Sequence, residues 1–312
     1  MATFAQKYLM MRKVIGIGET VFDIIFNDEN QPISGRPGGS VYNAMISLGR
    51  RGVASSFISE VGNDRIGLII KQFLADNGVD NSCVCMFDDG KSPLSLAFLD
   101  EHRNAQYIFY KDYPAQQLQF QMPEIERDDV LLFGSYFALN PVLRSHVRRL
   151  LDTARSRDAM IYYDVNFRAT HRNEVQHLLP TIIENFQFAD IVKGSDEDFE
   201  NIFATDDWRQ VYHQFIEPYC KVFICTQGSK GASLLIENEE FMIDGKSIIP
   251  VSTVGAGDSF NAGTICGIIR NDLLRSELQN PKDAIVKLLD SMRVGVDFAS
   301  EVCMSLENYV RK

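Results

Sequence analysis

Thr253-Val-Gly255-Ala256-Gly257-Asp258 sets two glycines, one residue apart, ahead of an apolar helical stretch. Such glycines let backbone N–H groups converge at a helix N-terminus, where the dipole favours an anion. Asp258 then falls in the first turn. A carboxylate beside an anion hole suits a general base next to a transferring phosphoryl group. The same residue also suits an ordinary capped helix start. A second segment, Gly35-Arg-Pro-Gly38-Gly39-Ser-Val-Tyr-Asn43, pairs two glycines with an amide. Gly38 and Gly39 permit close approach of backbone to a ligand. Asn43 lies one turn after Ser40, which is placed to cap the helix, and its amide can donate and accept.

Three further segments follow apolar runs. Asp23 lies just past the carboxyl end of the first run, where α/β sheets bind ligands; it can hold sugar hydroxyls or sit in a solvated turn. Asp164-Val-Asn166-Phe-Arg168 offers a guanidinium fork that grips phosphate or substrate oxygens, or closes an internal salt bridge. Thr226-Gln-Gly228-Ser-Lys-Gly231 either cradles nucleotide phosphates or turns the chain. No G-x-x-x-x-G-K-[S/T] is present, which disfavours a P-loop kinase. Val21 stands where a dinucleotide fingerprint needs its third glycine, which disfavours a dehydrogenase. A protein-kinase glycine loop with H-R-D is absent too.

The elements that must position these residues alternate. Apolar runs at 14–18, 55–59, 130–133, 160–163, 191–192 and 222–226 read as strands. Helical spacing marks 40–49, 66–75, 141–156, 173–186, 207–217, 256–270 and 281–304. Strand–helix alternation means βαβ units and a mostly parallel sheet, an α/β fold. Residues 82–112 differ: short β-like runs at 83–87, 94–99 and 106–110, separated by Asp88-Asp89-Gly90 and 101–104, form a β excursion on that body. Another β-ribbon joins 233–236 to 241–243.

The chain has 312 residues, 45% hydrophobic and 23% charged, enough for a core of normal size. With 31 Lys and Arg against 42 Asp and Glu the net charge is −11, a poor balance for general binding of nucleic acid or anionic membrane. No run approaches the ~18 apolar residues of a membrane span. Residues 1–13 lack a secretory apolar core, and Met11 is an alternative start to Met1. The six cysteines form no C-x-x-C pair and no zinc spacing; reduced thiols in a cytoplasmic protein are expected.

In this order, the segments resemble the PfkB or ribokinase-like family of carbohydrate kinases. Gly38-Gly39 to Asn43, running on to Gly49, looks like the family's first signature, and Thr253 to Asp258 like its second. Glu60-Val-Gly62-Asn-Asp64-x-x-Gly67 is similar to a third family turn. The match covers about 13–305. It implies a three-layer α/β/α fold over 1–312 as one domain, with a small β-sheet lid from about 21–36 and 83–112. It implies an ATP-dependent kinase acting on a hydroxymethyl group. Asp258 would be the base and the backbone of Gly255, Ala256 and Gly257 the anion hole. Asp23, Gly38, Gly39, Asn43, Lys111 and Arg168 would meet the sugar; Lys193, Ser195, Thr226, Gly228 and Gly231 the nucleotide; Asp198 a Mg²⁺ ion.

Two departures stand out. The family usually has Asp before the threonine of its second signature, where this chain has Ser252, so the K⁺ requirement stays open. The family's N-x-x-E appears as Ser195-Asp-Glu-Asp198. Gly18-Glu19, the Asp164 to Arg168 run and Phe109-Tyr110-Lys111 look more like fructokinase or 2-keto-3-deoxygluconate kinase than adenosine kinase, and fructose is the first expected acceptor. 2-Keto-3-deoxygluconate, ribose and a nucleoside are alternatives, and a catalytically silent sugar- or nucleotide-binding regulator is the reading from another class. A homodimer through the lid is the expected assembly, with no nucleic acid or membrane partner.

Overall fold

Val14–Ile17 (β1) is buried at every position, as expected of a strand covered on both faces. The structure is a computed structural model and describes residues 12–99, 105–112 and 118–312; the two candidate starts lie outside them. The later strands are β2 (Val21–Phe26), β3 (Pro32–Gly38), β4 (Ser55–Gly62), β5 (Val79–Asp80), β6 (Val84–Phe87), β7 (Lys91–Leu99), β8 (Ala105–Asp112), β9 (Val130–Gly134), β10 (Met160–Asp164), β11 (Ile191–Ser195), β12 (Val222–Thr226), β13 (Gly231–Ile236) and β14 (Glu239–Asp244). The α-helices are α1 (Ser40–Arg50), α2 (Arg65–Asp76), α3 (Ser135–Leu139), α4 (Arg144–Ser156), α5 (Val175–Phe188), α6 (Asp196–Phe203), α7 (Trp208–Val211), α8 (Ala256–Arg270) and α9 (Ile285–Cys303).

The large sheet runs β14-β13-β12-β11-β10-β9-β1-β4-β5. Every pairing from β12 across to β5 is parallel, and β13 and β14 turn back antiparallel. Parallel neighbours need crossovers, and these put helices on both faces. Neighbouring β1 residues therefore join different cores. Val14 packs with Val41, Leu48, Ile70, Ile265 and Leu288 from α1, α2, α8 and α9. Ile15 packs with Val147, Leu151, Ile182, Phe186 and Val211 from α4, α5 and α7. The sheet, so covered, is the middle of three layers. Its parallel strands all point their carboxyl ends the same way, so the loops carrying Glu19, Ser135, Arg168, Asp196 and Gln227 gather at one edge.

A separate four-stranded sheet runs β3-β2-β7-β8. Its strand β3 contains Pro32 and Pro37 but lies at the edge, where a missing N–H breaks no ladder. One expectation is corrected here. Residues 83–87 do not join this small sheet: β6 pairs in parallel with the second half of β4, Ser59 opposite Val84, and Val84 is buried in the main core. The small sheet is built from Val21–Phe26, Pro32–Gly38, Lys91–Leu99 and Ala105–Asp112 instead.

Asp64 fastens the two sheets. Its Oδ1 accepts the Gly67 N–H at 2.8 Å and so caps α2. Ser92, at the start of β7, donates its N–H to Oδ2 and its hydroxyl to Oδ1, both at 2.8 Å. The turn expected from Gly62 to Gly67 thus anchors a strand of the small sheet to the large one. Two local expectations also change. Ser40 does not cap α1; Gly39 holds that position, and the Ser40 hydroxyl is buried without a partner among the described residues. Helix α3 was not expected, because it follows β9 after a single residue's turn, with Ser135 at φ +55°. Among the described residues no helix is long and apolar enough to cross a membrane.

Candidate active site

Gly255 precedes α8 in the left-handed region, φ +78°. A side chain there is excluded twice over, since a Cβ would also overlap the backbone oxygen of Asn308. Ala256 and Gly257 open the helix, and no side chain caps it. The Gly257 and Asp258 N–H groups are thereby left for an anion, while that of Ala256 donates to the Thr253 carbonyl at 3.2 Å. Asp258, the third residue, is 8% exposed. Burial pushes its carboxyl up from 3.8 to about 7; a hydrogen bond from Asn43 and the charges of Arg168 and Lys193 pull the other way, while Asp164 adds to the rise.

Asn43 comes from α1. Gly39, at its N-terminus, has φ +130° and lies so close to the Glu19 carbonyl that a Cβ would overlap it. One turn later, Asn43 Nδ2 donates to Asp258 Oδ2 at 2.8 Å. Asn43 Oδ1 is buried and has no partner among the described residues. The first turns of α1 and α8 therefore meet at one carboxylate, beside an unfilled acceptor. From β2, Asp23 reaches Gly38, next to Gly39: a Cβ on Gly38 would overlap its Oδ2. Burial raises the Asp23 carboxyl to about 6 against the hydrogen bond from Ser95 and the charge of Arg36. Glu19 is joined to Ser135 at 3.4 Å across the ends of β1 and β9.

Beneath Asp258 lies a buried ion pair. Lys193 Nζ, from the middle of β11, donates to Asp164 Oδ1 at 3.0 Å, and both residues are nearly inaccessible. Asn261 of α8 donates to Asp164 Oδ2 at 2.8 Å, and the Tyr162 hydroxyl donates to Asn261 at 3.2 Å. Burial alone would lower the Lys193 pKa, but the charges of Asp164, Asp198 and Asp258 raise it. Lys193 Nζ sits 3.5 Å from where a Gly257 Cβ would be. A fixed cation thus backs the uncapped helix end.

The remaining expected residues are less uniform. Arg168 is exposed and makes no ion pair among the described residues; it acts on Asp258 through space. Asp198 caps rather than opens a site. Its Oδ2 accepts the Ser195 N–H at 2.7 Å and its Oδ1 the Phe167 N–H at 2.8 Å, while Ser195 Oγ accepts the Asp198 N–H at 3.1 Å. Ser195 and Asp198 are a capping box on α6 that also pins the loop before Arg168. With Asp164 held by Lys193 and Asn261, and no acidic, histidine or cysteine cluster among the described residues able to hold a metal, the carboxylates do not fit a protein-held Mg²⁺ ion. Thr226 ends β12 beside the Gly194 carbonyl. Gly228, at φ +56°, faces open space, whereas Gly231 is required by the close approach of β14. The side chain of Lys111 lies outside the described residues. Ser252 Oγ accepts the Val254 N–H at 3.2 Å.

Residues 11–305 match the family described as pfkB family carbohydrate kinase. The chain belongs to the pfkB family. As such it is an ATP-dependent sugar kinase. It is 27% identical to "Fructokinase-1" of Zea mays over 263 residues, 82% of this chain and 79% of that one. The fold superposes with TM-score 0.80 on the fructokinase from Vibrio cholerae O395 in its fructose, ADP and calcium ion bound form, at 22% identity over 96% of this chain and 95% of that one. It superposes with TM-score 0.79 on the aminoimidazole riboside kinase from Salmonella enterica complexed with aminoimidazole riboside and ATP analog, at 20% identity over 95% and 94%.

Reading the sequence for this pfkB chain missed Asn261, Tyr162 and Asn308. The first lies inside the quoted glycine segment, but only the register of α8 on β10 shows that its amide meets Asp164. Asn308 carries no local signal; it lies in the nine residues after α9, far in sequence from everything it touches.

Proposed function

We propose that the chain transfers the γ-phosphoryl group of ATP to a hydroxymethyl group of a small neutral sugar, with fructose as the first acceptor. The observation that carries this is Asp258: a buried carboxylate, pushed up to about 7, in the uncapped first turn of α8. The acceptor hydroxyl gives its proton to Asp258 as its oxygen attacks phosphorus. The new O–P bond forms in line with the breaking bond to ADP. The Gly255–Gly257 backbone, Lys193 and Arg168 supply positive potential where charge spreads over the transferring oxygens. Divalent metal enters in this reading with the nucleotide's phosphates, which is how Mg²⁺ is commonly carried.

Asp23, Gly38, Gly39 and Asn43 read the sugar hydroxyls. With Asp23 in β2 and Glu19 just after β1, an anionic sugar acid meets like charge, which ranks 2-keto-3-deoxygluconate below fructose, ribose and nucleosides. The named relatives being fructokinases supports the same order. Thr226 and Gly228, at and just after the carboxyl end of β12, are read as contacts of the nucleotide. Six unpaired thiols support a cytoplasmic setting. The small sheet acts as a lid and, through its edge strand β8, where Ile108 and Tyr110 are about half exposed, as the dimer surface; sedimentation as a monomer at assay concentration contradicts that assembly.

The test is the pH profile of kcat/KM for fructose. An acid limb breaking near 7 in the wild type, with no such limb in the residual activity of Asp258→Asn, is expected. A limb unchanged by the substitution removes Asp258 as the base.

A further inference from the structure

The segment after α9 is stitched to three parts of the molecule at once. Arg50 of α1 donates to Glu307 at 2.6 Å and to the Val310 carbonyl at 2.7 Å, and its guanidinium lies over the Tyr309 ring. The Val310 N–H reaches Ser47 Oγ at 3.3 Å. Arg36, from β3 of the small sheet, donates to the Leu306 carbonyl at 2.8 Å. Between these anchors, the backbone of Asn308 lies against Gly255 so tightly that a Cβ there would overlap it. Tyr309 and Val310 are buried, so the segment is fixed in place.

The side chain of Asn308 has no such structural employment. The residue is 4% exposed, yet its amide has no hydrogen-bond partner among the described residues. Neither amide atom is among the sealed unpartnered polar atoms, so the little surface it shows includes both. Its Nδ2 lies 3.9 Å from where a Gly38 Cβ would be, on the face of Gly38 that Asp23 Oδ2 also occupies. A nearly buried amide without a partner costs free energy unless something fills it.

We propose that Asn308 is a specificity-determining residue for the sugar: its amide hydrogen-bonds an acceptor hydroxyl held on its other side by Asp23. This rests on the kinase reading and extends it. Because Asn308 also seats Gly255, the same residue sets the sugar against the anion hole. A hydroxyl binds well between a carboxylate and an amide, as one accepts and the other donates or accepts. A sugar lacking that hydroxyl would leave both groups unfilled and be rejected.

The experiment is isothermal titration calorimetry of fructose and ribose to the wild type, Asn308→Ala and Asn308→Asp, together with steady-state kinetics varying sugar and ATP separately. Asn308→Ala is expected to weaken binding of the preferred sugar ten-fold or more, to raise its KM alike, and to leave the KM for ATP and the melting temperature near wild type. Asn308→Asp is expected to weaken it further, with a second carboxylate beside Asp23. Wild-type affinity in Asn308→Ala overturns the inference, as does an equal loss for ATP with a lowered melting temperature, which marks a purely structural role. A folded wild type that binds neither sugar overturns the reading of fructose or ribose as acceptor, and the inference with it.

Discussion

An aspartate whose conjugate acid survives to about pH 7 behaves unlike a surface one. Burial raises the Asp258 carboxyl, so the folded chain holds a proton there that the unfolded chain sheds near 3.8. Between those limits the folded state binds more protons, and stability falls as pH rises. The contribution is fully present below about 4 and gone above about 7. Asp258→Asn has no such group. Its melting temperature is expected to rise relative to wild type as pH goes from 4 to 8, with the two proteins closest at the acid end. A constant gap across that range, in paired thermal melts, contradicts the assigned burial. This cost of stability is the usual companion of a site residue poised for proton transfer.

At the scale of elements, most strands and helices were legible because apolar runs and helical spacing coincide with burial. β12 and α8 begin and end where the pattern says. The failures have separate causes. Strand β6 looks like its neighbours in the β excursion, and only pairing with β4 tells that it extends the large sheet. Strand β3 is hidden by prolines and glycines that an edge strand tolerates. Helix α3 has no room for an approach signal. In the site, Asp258, Asn43 and Asp23 were legible from glycines and position, whereas the capping job of Asp198 was not, because a carboxylate three residues after a serine reads equally as a metal ligand. Asp64 offers the test at this scale. Asp64→Ala removes a helix cap worth about 1 kcal/mol and also frees Ser92 from the large sheet. A lowered melting temperature and faster proteolytic cutting between 88 and 112 are expected, with β9 to β12 unaffected. Unchanged cutting contradicts the fastening role.

At the scale of the whole molecule, two sheets with different neighbours share one site. The large sheet is sealed between two apolar layers. The small one is thinly covered, with Ile33, Ile108 and Tyr110 about half exposed or more. A lid needs that inequality, since segments that move are drawn from the less stable parts of a fold. Hydrogen exchange with and without sugar separates the two. Protection gained on sugar binding is expected in 21–38 and 91–99, with the exchange of β1, β9 and β10 unchanged. Gain spread evenly over both sheets contradicts a lid. The family resemblance implied a β-sheet lid from about 21–36 and 83–112, but how thinly its strands are covered has no local sequence signature.

The central claim is phosphoryl transfer to a sugar through Asp258. It is tested most directly by ADP release from ATP with Mg²⁺, offered fructose, ribose, 2-keto-3-deoxygluconate, adenosine, fructose 6-phosphate and tagatose 6-phosphate, each with and without K⁺. The account predicts turnover on fructose and a loss of at least ~10²-fold in Asp258→Asn, which still binds the sugar. A folded wild type that turns over no acceptor while a sugar raises its melting temperature contradicts it, and makes the chain a silent binder on a kinase fold.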